Sequence, residues 1–169
     1  MEIRAEKASD KENIAELTYC AFENHPHHEP GAKPTEHLII DKLRKANMLA
    51  LSLVCEDENN IIGHIAFSPI WINGEQSTWY GLGPLSVTPE RQGEGIGSAL
   101  IRFGLSQLKT QGIEGVVLLG EPQYYARFGF KSQPNLTLAG VPADYFMAKA
   151  FTNTIPTGEV SYHSAFFES

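Results

Sequence analysis

The stretch Leu85-Ser-Val-Thr-Pro-Glu-Arg-Gln-Gly-Glu-Gly-Ile-Gly-Ser98 decides how this chain folds. An apolar, alternating segment ends at Val87, a short polar loop follows, and glycines at every second position open a segment of helical periodicity. N–H groups in the first turn of a helix have no partner inside it and lie at the positive end of its dipole. With no side chains at Gly93, Gly95 and Gly97, a bulky anion can approach that backbone, and a pyrophosphate suits it better than a single carboxylate. The Gly-Lys-Ser/Thr of a P-loop is missing, because Gly97 is followed by Ser98 and Ala99. The GxGxxG dinucleotide fingerprint is also missing: Gly93-x-Gly95 leads to Ser98, and Gly95-x-Gly97 leads to Leu100. Taken alone, a glycine-rich cap with a packing role remains the alternative.

Working outward, alternation in Ile3–Glu6 predicts a short strand, and Ser9 or Asp10 can cap a helix, with Glu12 completing a capping box on Ser9. Ile14, Leu17 and Ala21 carry that helix to about Phe22. Prolines and a glycine break the chain through Asn24–Gly31, and a second helix is predicted from Thr35 to about Ala46 with Leu38, Ile39 and Leu43 inward. Leu49–Val87 reads as a three-stranded antiparallel meander: one strand through Leu51, Leu53 and Cys55, one over Ile61–Ile72, and one over Ser77–Val87, turning at Asn73-Gly74. Gly81, Gly83 and Pro84 predict a bulge on the third of these. The glycine-opened helix runs to about Gln111, stopped by Gly112, and leads to an all-apolar strand at Val116–Leu119 and a helix opened by Pro122. Further on, Phe146–Phe151 and Glu159–Tyr162 read as strands and His163–Phe167 as a short helix. The fold class is therefore α/β, one domain over 1–169, with a mixed and mostly antiparallel central sheet. Helices flank that sheet, and its pairing turns parallel across the glycine-opened helix.

The chain has 169 residues and a net charge of −7, from 13 basic and 20 acidic residues. This disfavours a broad nucleic-acid or anionic-membrane surface and suits a cationic or amine-bearing partner. Two cysteines, Cys20 and Cys55, cannot build a disulfide framework and read as buried free thiols. The charged start of the chain and the lack of an apolar run near about 20 residues predict a cytoplasmic protein.

Gln92-x-x-Gly95-x-Gly97, preceded by Leu85-x-Val87-x-Pro89, resembles the acyl-CoA-binding motif of the GNAT (GCN5-related) N-acetyltransferases. Tyr125-x-x-x-Gly129-Phe130 is similar to that family's second signature. Together the motifs span 82–130, and the predicted element order matches the family fold from Met1 to about Phe130. The segment from Leu119 to Phe130 looks closest to the YhbS-like subgroup, while 133–169 matches less clearly. The resemblance implies a GNAT-like fold in which the fourth and fifth strands splay apart. It implies acetyl-CoA as cosubstrate, no metal, and transfer of an acetyl group to a primary amine by direct attack in a ternary complex. A non-catalytic CoA- or acyl-carrier-binding module on the same fold is the rival reading.

Residue by residue, the resemblance implies that Leu85, Ser86 and Val87 bind the pantetheine arm through their backbone. Amides of Gln92, Gly93, Glu94, Gly95, Ile96, Gly97 and Ser98 would cradle the pyrophosphate, and Tyr125 and Phe128 would contact the cofactor. An unpaired N–H near Leu85 could stabilise the oxyanion. Tyr125 is the candidate general acid, because a phenol is protonated at pH 7 and can donate to a thiolate. Glu121 is a candidate base, with a helix N-terminal carboxylate as its plainer reading; Glu75 and His64 are weaker candidates, and His64 suits a satisfied structural histidine better. Tyr124 reads as packing or a cofactor contact. Arg91 reads as a phosphate contact or a solvated loop charge. His25, His27, His28 and Glu29 resemble a metal cluster, but no Cys or His pair elsewhere completes a zinc set. Tyr145, Phe146, Phe151, Tyr162, Phe166 and Phe167 need cover from the domain's own sheet or from a second copy in a homodimer.

Overall fold

In a computed structural model describing residues 1–23 and 33–167, nine strands form one mixed sheet. The elements run β1 (Glu2–Ala5), α1 (Lys11–Phe22), α2 (Glu36–Lys45), β2 (Leu51–Asp57), β3 (Asn60–Ile72), β4 (Glu75–Val87) and α3 (Ile96–Thr110). Then follow β5 (Gly115–Leu119), α4 (Pro122–Tyr125), β6 (Lys131–Ser132), β7 (Leu136–Leu138), β8 (Phe146–Ala150) and β9 (Gly158–Ser161). The strand order is β1-β2-β3-β4-β5-β8-β6, with β9 between the far end of β3 and β7. Every pair on the main path is antiparallel except β4–β5, which α3 joins as a crossover. The β3–β4 turn places Asn73 and Gly74 at φ 52° and 81°, as a primed hairpin requires.

Alternation along β2 sorts the two faces. Leu53 and Cys55 turn to one side with Ile65, Phe67 and the Ile96, Leu100, Ile101, Leu105 and Leu108 stripe of α3. Val54 turns to the other, against Ile14 of α1 and Ile40 of α2. The sheet is thus covered on both faces, and burial of these side chains supplies most of the stabilisation. A second cluster of Ile70, Trp79, Val117, Phe146 and Val160 closes the region under β7 and β9. The C-terminal aromatics divide: Phe146 is buried and Tyr162 partly buried, whereas Tyr145 and Phe167 are 43% and 70% exposed.

Several local expectations need correction. No capping box forms on Ser9, because Arg4 takes the Asp10 carboxylate at 2.8 Å and the Lys7 N–H donates to it at 2.7 Å. In α2 the buried positions are Ile40 and Leu43, while Leu38 faces solvent. Cys55 is buried, but Cys20 is exposed, because it lies off the stripe made by Ile14 and Leu17.

Candidate active site

The sheet opens along β4. Its last pair with β5 is Gly81–Val117, whereas its pairing with β3 continues to Val87. β5 runs on to Leu119, paired to β8 on its far side. Leu82–Val87 therefore has a strand neighbour on one side only. The divergence starts where Leu82 and Leu85 of β4 face Phe67 and Ile65 of β3, so β4 carries one extra residue. Gly83, at φ 142°, and Pro84 fill this bulge, as their sequence predicted.

Thr88 donates its N–H to the Ile62 carbonyl at 2.9 Å. Alternation in an antiparallel pair then turns the backbone groups of Ser86 toward β3 and those of Leu85 and Val87 toward the slot. Gln92 closes one end of the slot, its Nε2 donating to the Val87 carbonyl at 3.1 Å. Beyond it, Gly93 and Gly95 adopt φ of 84° and 86°, and Gly95 caps α3. A Cβ built on either meets nothing within 4 Å, so the space before these amides is open. The bond from Ala99 N–H to the Gly95 carbonyl, 3.0 Å, begins the α3 ladder and leaves the earlier N–H groups without a helical acceptor. Arg91 is committed to the loop: its guanidinium reaches Asp57 at 3.0 Å and Glu94 at 2.8 Å.

Tyr125, on α4, packs its ring against Gly120, where a Cβ would meet Cε2 at 2.5 Å. Burial pushes its phenol up to about 12, with a smaller contribution from Tyr124. The rings of Tyr124 and Tyr125 meet edge to face at 4.9 Å, and Tyr124 lies 5.5 Å from Phe128. The Tyr124 hydroxyl lies 3.4 Å from Ser98 Oγ, so it stands at the lip of the α3 cradle. Arg127 stacks over Tyr124 and Arg102 over Phe128, each 4.8 Å from the ring centroid. Sequence reasoning missed both arginines and underweighted Tyr124: the contacts of Arg102 with Phe128 and of Tyr124 with Ser98 depend on α3 meeting the segment after β5, and Arg127 reaches Tyr124 across one local turn.

The candidate bases separate. Glu121 is exposed at the N-cap of α4, and its carbonyl accepts the N–H groups of Tyr124 and Tyr125 at 3.1 Å. Glu75 pairs with Ile72 at the hairpin, far along β4 from the glycine loop. His64 is fully buried on the α1–α2 side. Ser52 Oγ donates to Glu6 at 2.6 Å and lies 2.8 Å from His64 Nε2. Since a carboxylate only accepts, Ser52 must accept from His64, so Nε2 carries the proton. Nδ1 has no hydrogen-bond partner, nor has Ser86 Oγ on the residue opposite. The ring is thus only half satisfied, which corrects the expectation. Burial holds its pKa down to about 4, against the pull of Glu6. The described residues include no group of three or more His, Cys, Asp or Glu able to hold a metal. The loop of His25, His27, His28 and Glu29 lies outside the described residues.

An opened β4–β5 pair feeding a bare helix N-terminus defines an acyl-CoA N-acyltransferase type of fold. The profile of the acetyltransferase (GNAT) domain matches residues 49–132. The chain is 36% identical over 132 residues to the uncharacterized N-acetyltransferase YhbS of Escherichia coli K12, covering 78% of this chain and 74% of that one. Among solved structures, a GNAT family acetyltransferase from Brucella melitensis in complex with acetyl-CoA shares 46% identity at a TM-score of 0.85, covering 98% of this chain and 97% of that chain. YhbS from Escherichia coli in complex with CoA shares 32% at a TM-score of 0.88, covering 99% and 92%. The chain belongs to the GNAT family of acetyltransferases. None of the helices described is long and apolar enough to cross a membrane.

Proposed function

We propose that this protein is an N-acetyltransferase that transfers the acetyl group of acetyl-CoA to a primary amine, by direct attack in a ternary complex. The slot itself carries this reading: the backbone groups of Leu85 and Val87 face an unpaired strand edge that ends at the open amides of the glycine loop. The residues present fit the cosubstrate. Leu85 and Val87 take the pantetheine arm as an added strand, with Ser86 holding β4 to β3. Amides of Gln92, Gly93, Glu94, Gly95, Ile96, Gly97 and Ser98 take the pyrophosphate, Tyr125 walls the thioester end, and Phe128 contacts the cofactor. Similar proteins with CoA or acetyl-CoA bound support acetyl-CoA as the cosubstrate.

Acetyl-CoA supplies a thioester activated toward amines. The chain contributes orientation, which is worth several kcal/mol when a near-attack geometry is held. The Leu85 N–H, fixed on the slot side, is a preorganised donor for the developing oxyanion. Tyr125 stays protonated at neutral pH and donates to the departing sulfur. A phenol near 12 gives its proton unwillingly to a thiolate of ordinary pKa near 8.5, but the thiolate is desolvated in the same slot, which raises its proton affinity and narrows the gap. Glu121 is the carboxylate placed at the start of α4 to take a proton from the amine. The acceptor is an amine-bearing small molecule or peptide, in keeping with the −7 charge.

Calorimetry with acetyl-CoA and desulfo-CoA, against NADH and ATP, tests the binding half. Micromolar affinity for the CoA ligands alone is expected, and no CoA binding at saturating concentration overturns the reading. Tyr125→Phe tests the chemical half: acetyl-CoA affinity is kept while turnover in an amine screen falls by about 10²–10⁴. Unchanged turnover removes Tyr125 from the mechanism.

A further inference from the structure

Of the five arginines in the chain, three are spent on carboxylates. Arg4 binds Asp10 and Glu56, Arg44 binds Glu6 and Asp41, and Arg91 binds Asp57 and Glu94. Arg102 and Arg127 differ. Both are exposed, and among the described residues neither has a carboxylate within 4.0 Å. Each is instead held flat against an aromatic ring, Arg102 over Phe128 and Arg127 over Tyr124. These two rings are neighbours, 5.5 Å apart. Stacking fixes a guanidinium by its face and leaves its N–H edge free for an anion. The pair is thus oriented, charged and unneutralised, in a chain that is acidic as a whole.

Its position fixes the anion it would meet. The Tyr124 hydroxyl touches Ser98 in the first turn of α3, and Arg102 lies one turn further along that helix. Both guanidiniums therefore border the groove between α3 and α4, next to the pyrophosphate cradle. The glycine-loop amides already serve the pyrophosphate and the strand edge serves the pantetheine. The anionic group of coenzyme A left without a partner is the phosphomonoester on the 3′ carbon of its ribose. With a charge near −2, it suits paired guanidiniums.

We infer that Arg102 and Arg127, stacked on Phe128 and Tyr124, read the 3′-phosphate of coenzyme A, so that the protein selects free acyl-CoA over acyl groups carried on phosphopantetheine alone. This rests on the acetyl-CoA reading above. A carrier protein presents the pantetheine arm and one phosphate but lacks the 3′-phosphoadenosine, so the two arginines would have nothing to bind.

The test is calorimetric and needs no acceptor. CoA, 3′-dephospho-CoA and 4′-phosphopantetheine are titrated into the wild type, Arg102→Gln/Arg127→Gln and Arg102→Lys/Arg127→Lys. The wild type is expected to bind CoA at least tenfold tighter than 3′-dephospho-CoA, with a steeper loss of affinity on adding salt. In the double Gln variant the two affinities converge, while that for 3′-dephospho-CoA stays within about twofold of wild type, which also shows that the cradle is folded. The double Lys variant keeps part of the preference through its charge. A wild-type ratio near one overturns the inference, as does a ratio that survives in the Gln variant. Equal weakening of both ligands also overturns it, since it would place the arginines on the pyrophosphate. Failure of every CoA ligand to bind the wild type sinks the acetyl-CoA reading itself, and the inference with it.

Discussion

Lowering the pH should unfold this protein partly through one imidazole. His64 is fully buried, between Ser52 on one side and an unpartnered Nδ1 on the other, with Glu6, Arg44 and Asp10 as the charged groups acting on it. Its folded pKa is about 4, against an ordinary 6.5. The folded state therefore resists protonation that the unfolded chain accepts. As pH falls below 6.5 the unfolded state binds the extra proton and stability drops, and the loss levels off once pH passes below about 4. Between pH 7 and pH 4.5 the linkage amounts to about 2 kcal/mol from this residue. Burial is the largest influence on Glu6 and pushes it up, but hydrogen bonds from Arg44 and Ser52 together hold it below the ordinary carboxylate range; Asp10 and Asp41 are held low chiefly by side-chain hydrogen bonds from Arg4 and Lys45, with burial opposing. They too lose stability on acidification, so wild type must be compared with a variant lacking only the imidazole. Urea unfolding of wild type and His64→Asn at pH 7 and pH 4.5 gives that comparison. The wild type should lose about 2 kcal/mol more than the variant over this interval. A difference under about 0.5 kcal/mol would refute the burial argument, because His64 would then titrate alike in both states.

Ser52→Ala strands the His64 Nε2–H and removes a donor from Glu6, and should cost about 1–3 kcal/mol in urea unfolding at pH 7. Gly115→Ala drives a methyl into the Trp79 ring, and overpacking of about 1–3 kcal/mol should appear as a lower melting temperature with indole fluorescence shifted. Gly95→Ala has room for its methyl but forces an L residue to φ 86°, so a stability cost of about 1–2 kcal/mol and weaker CoA binding are expected by calorimetry. With iodoacetamide under native conditions, Cys20 should label within minutes and Cys55 only on unfolding, read by mass spectrometry; burial pushes the Cys55 thiol up.

The fold was most legible where local chemistry and tertiary need coincide. The Asn73-Gly74 turn, the bulge at Gly83-Pro84 and the glycine start of α3 are backbone conformations that few other residues tolerate, so they mark the sequence directly. Legibility falls where the surroundings choose among equals. Three successive apolar residues, Leu38-Ile-Ile40, leave the inward face of α2 ambiguous by one position, and packing against Val54 selects Ile40. Asp10 stands at the N-cap of α1, as its sequence allowed, but its carboxylate accepts from Arg4 of β1 and the Lys7 N–H instead of from the helix. The two-residue β6 and three-residue β7 exist through their pairing with β8 and β9 rather than through any pattern of their own. In the candidate site, the glycine opening of α3 was readable from spacing, and the divergence of β4 from β5 was expected from the family resemblance. The stacking of Arg102 on Phe128 was not, since it joins residues 26 positions apart through the approach of two helices.

The divergence of β4 from β5 amounts to a sheet edge moved from the rim to the middle of the molecule. At the rim such an edge recruits any passing strand, which is why exposed edges aggregate. Here the β3–β4 and β5–β8 pairs stand on either side, so admission is decided by width. Adjacent strands sit about 4.8 Å apart, and a gap of one missing strand is therefore about twice that. A thin, unbranched chain carrying amide groups along its length can enter and complete the ladder, whereas a second polypeptide would also have to seat alternate side chains on both faces of the sheet. The same opening that offers hydrogen bonds thus favours a slender, amide-bearing ligand.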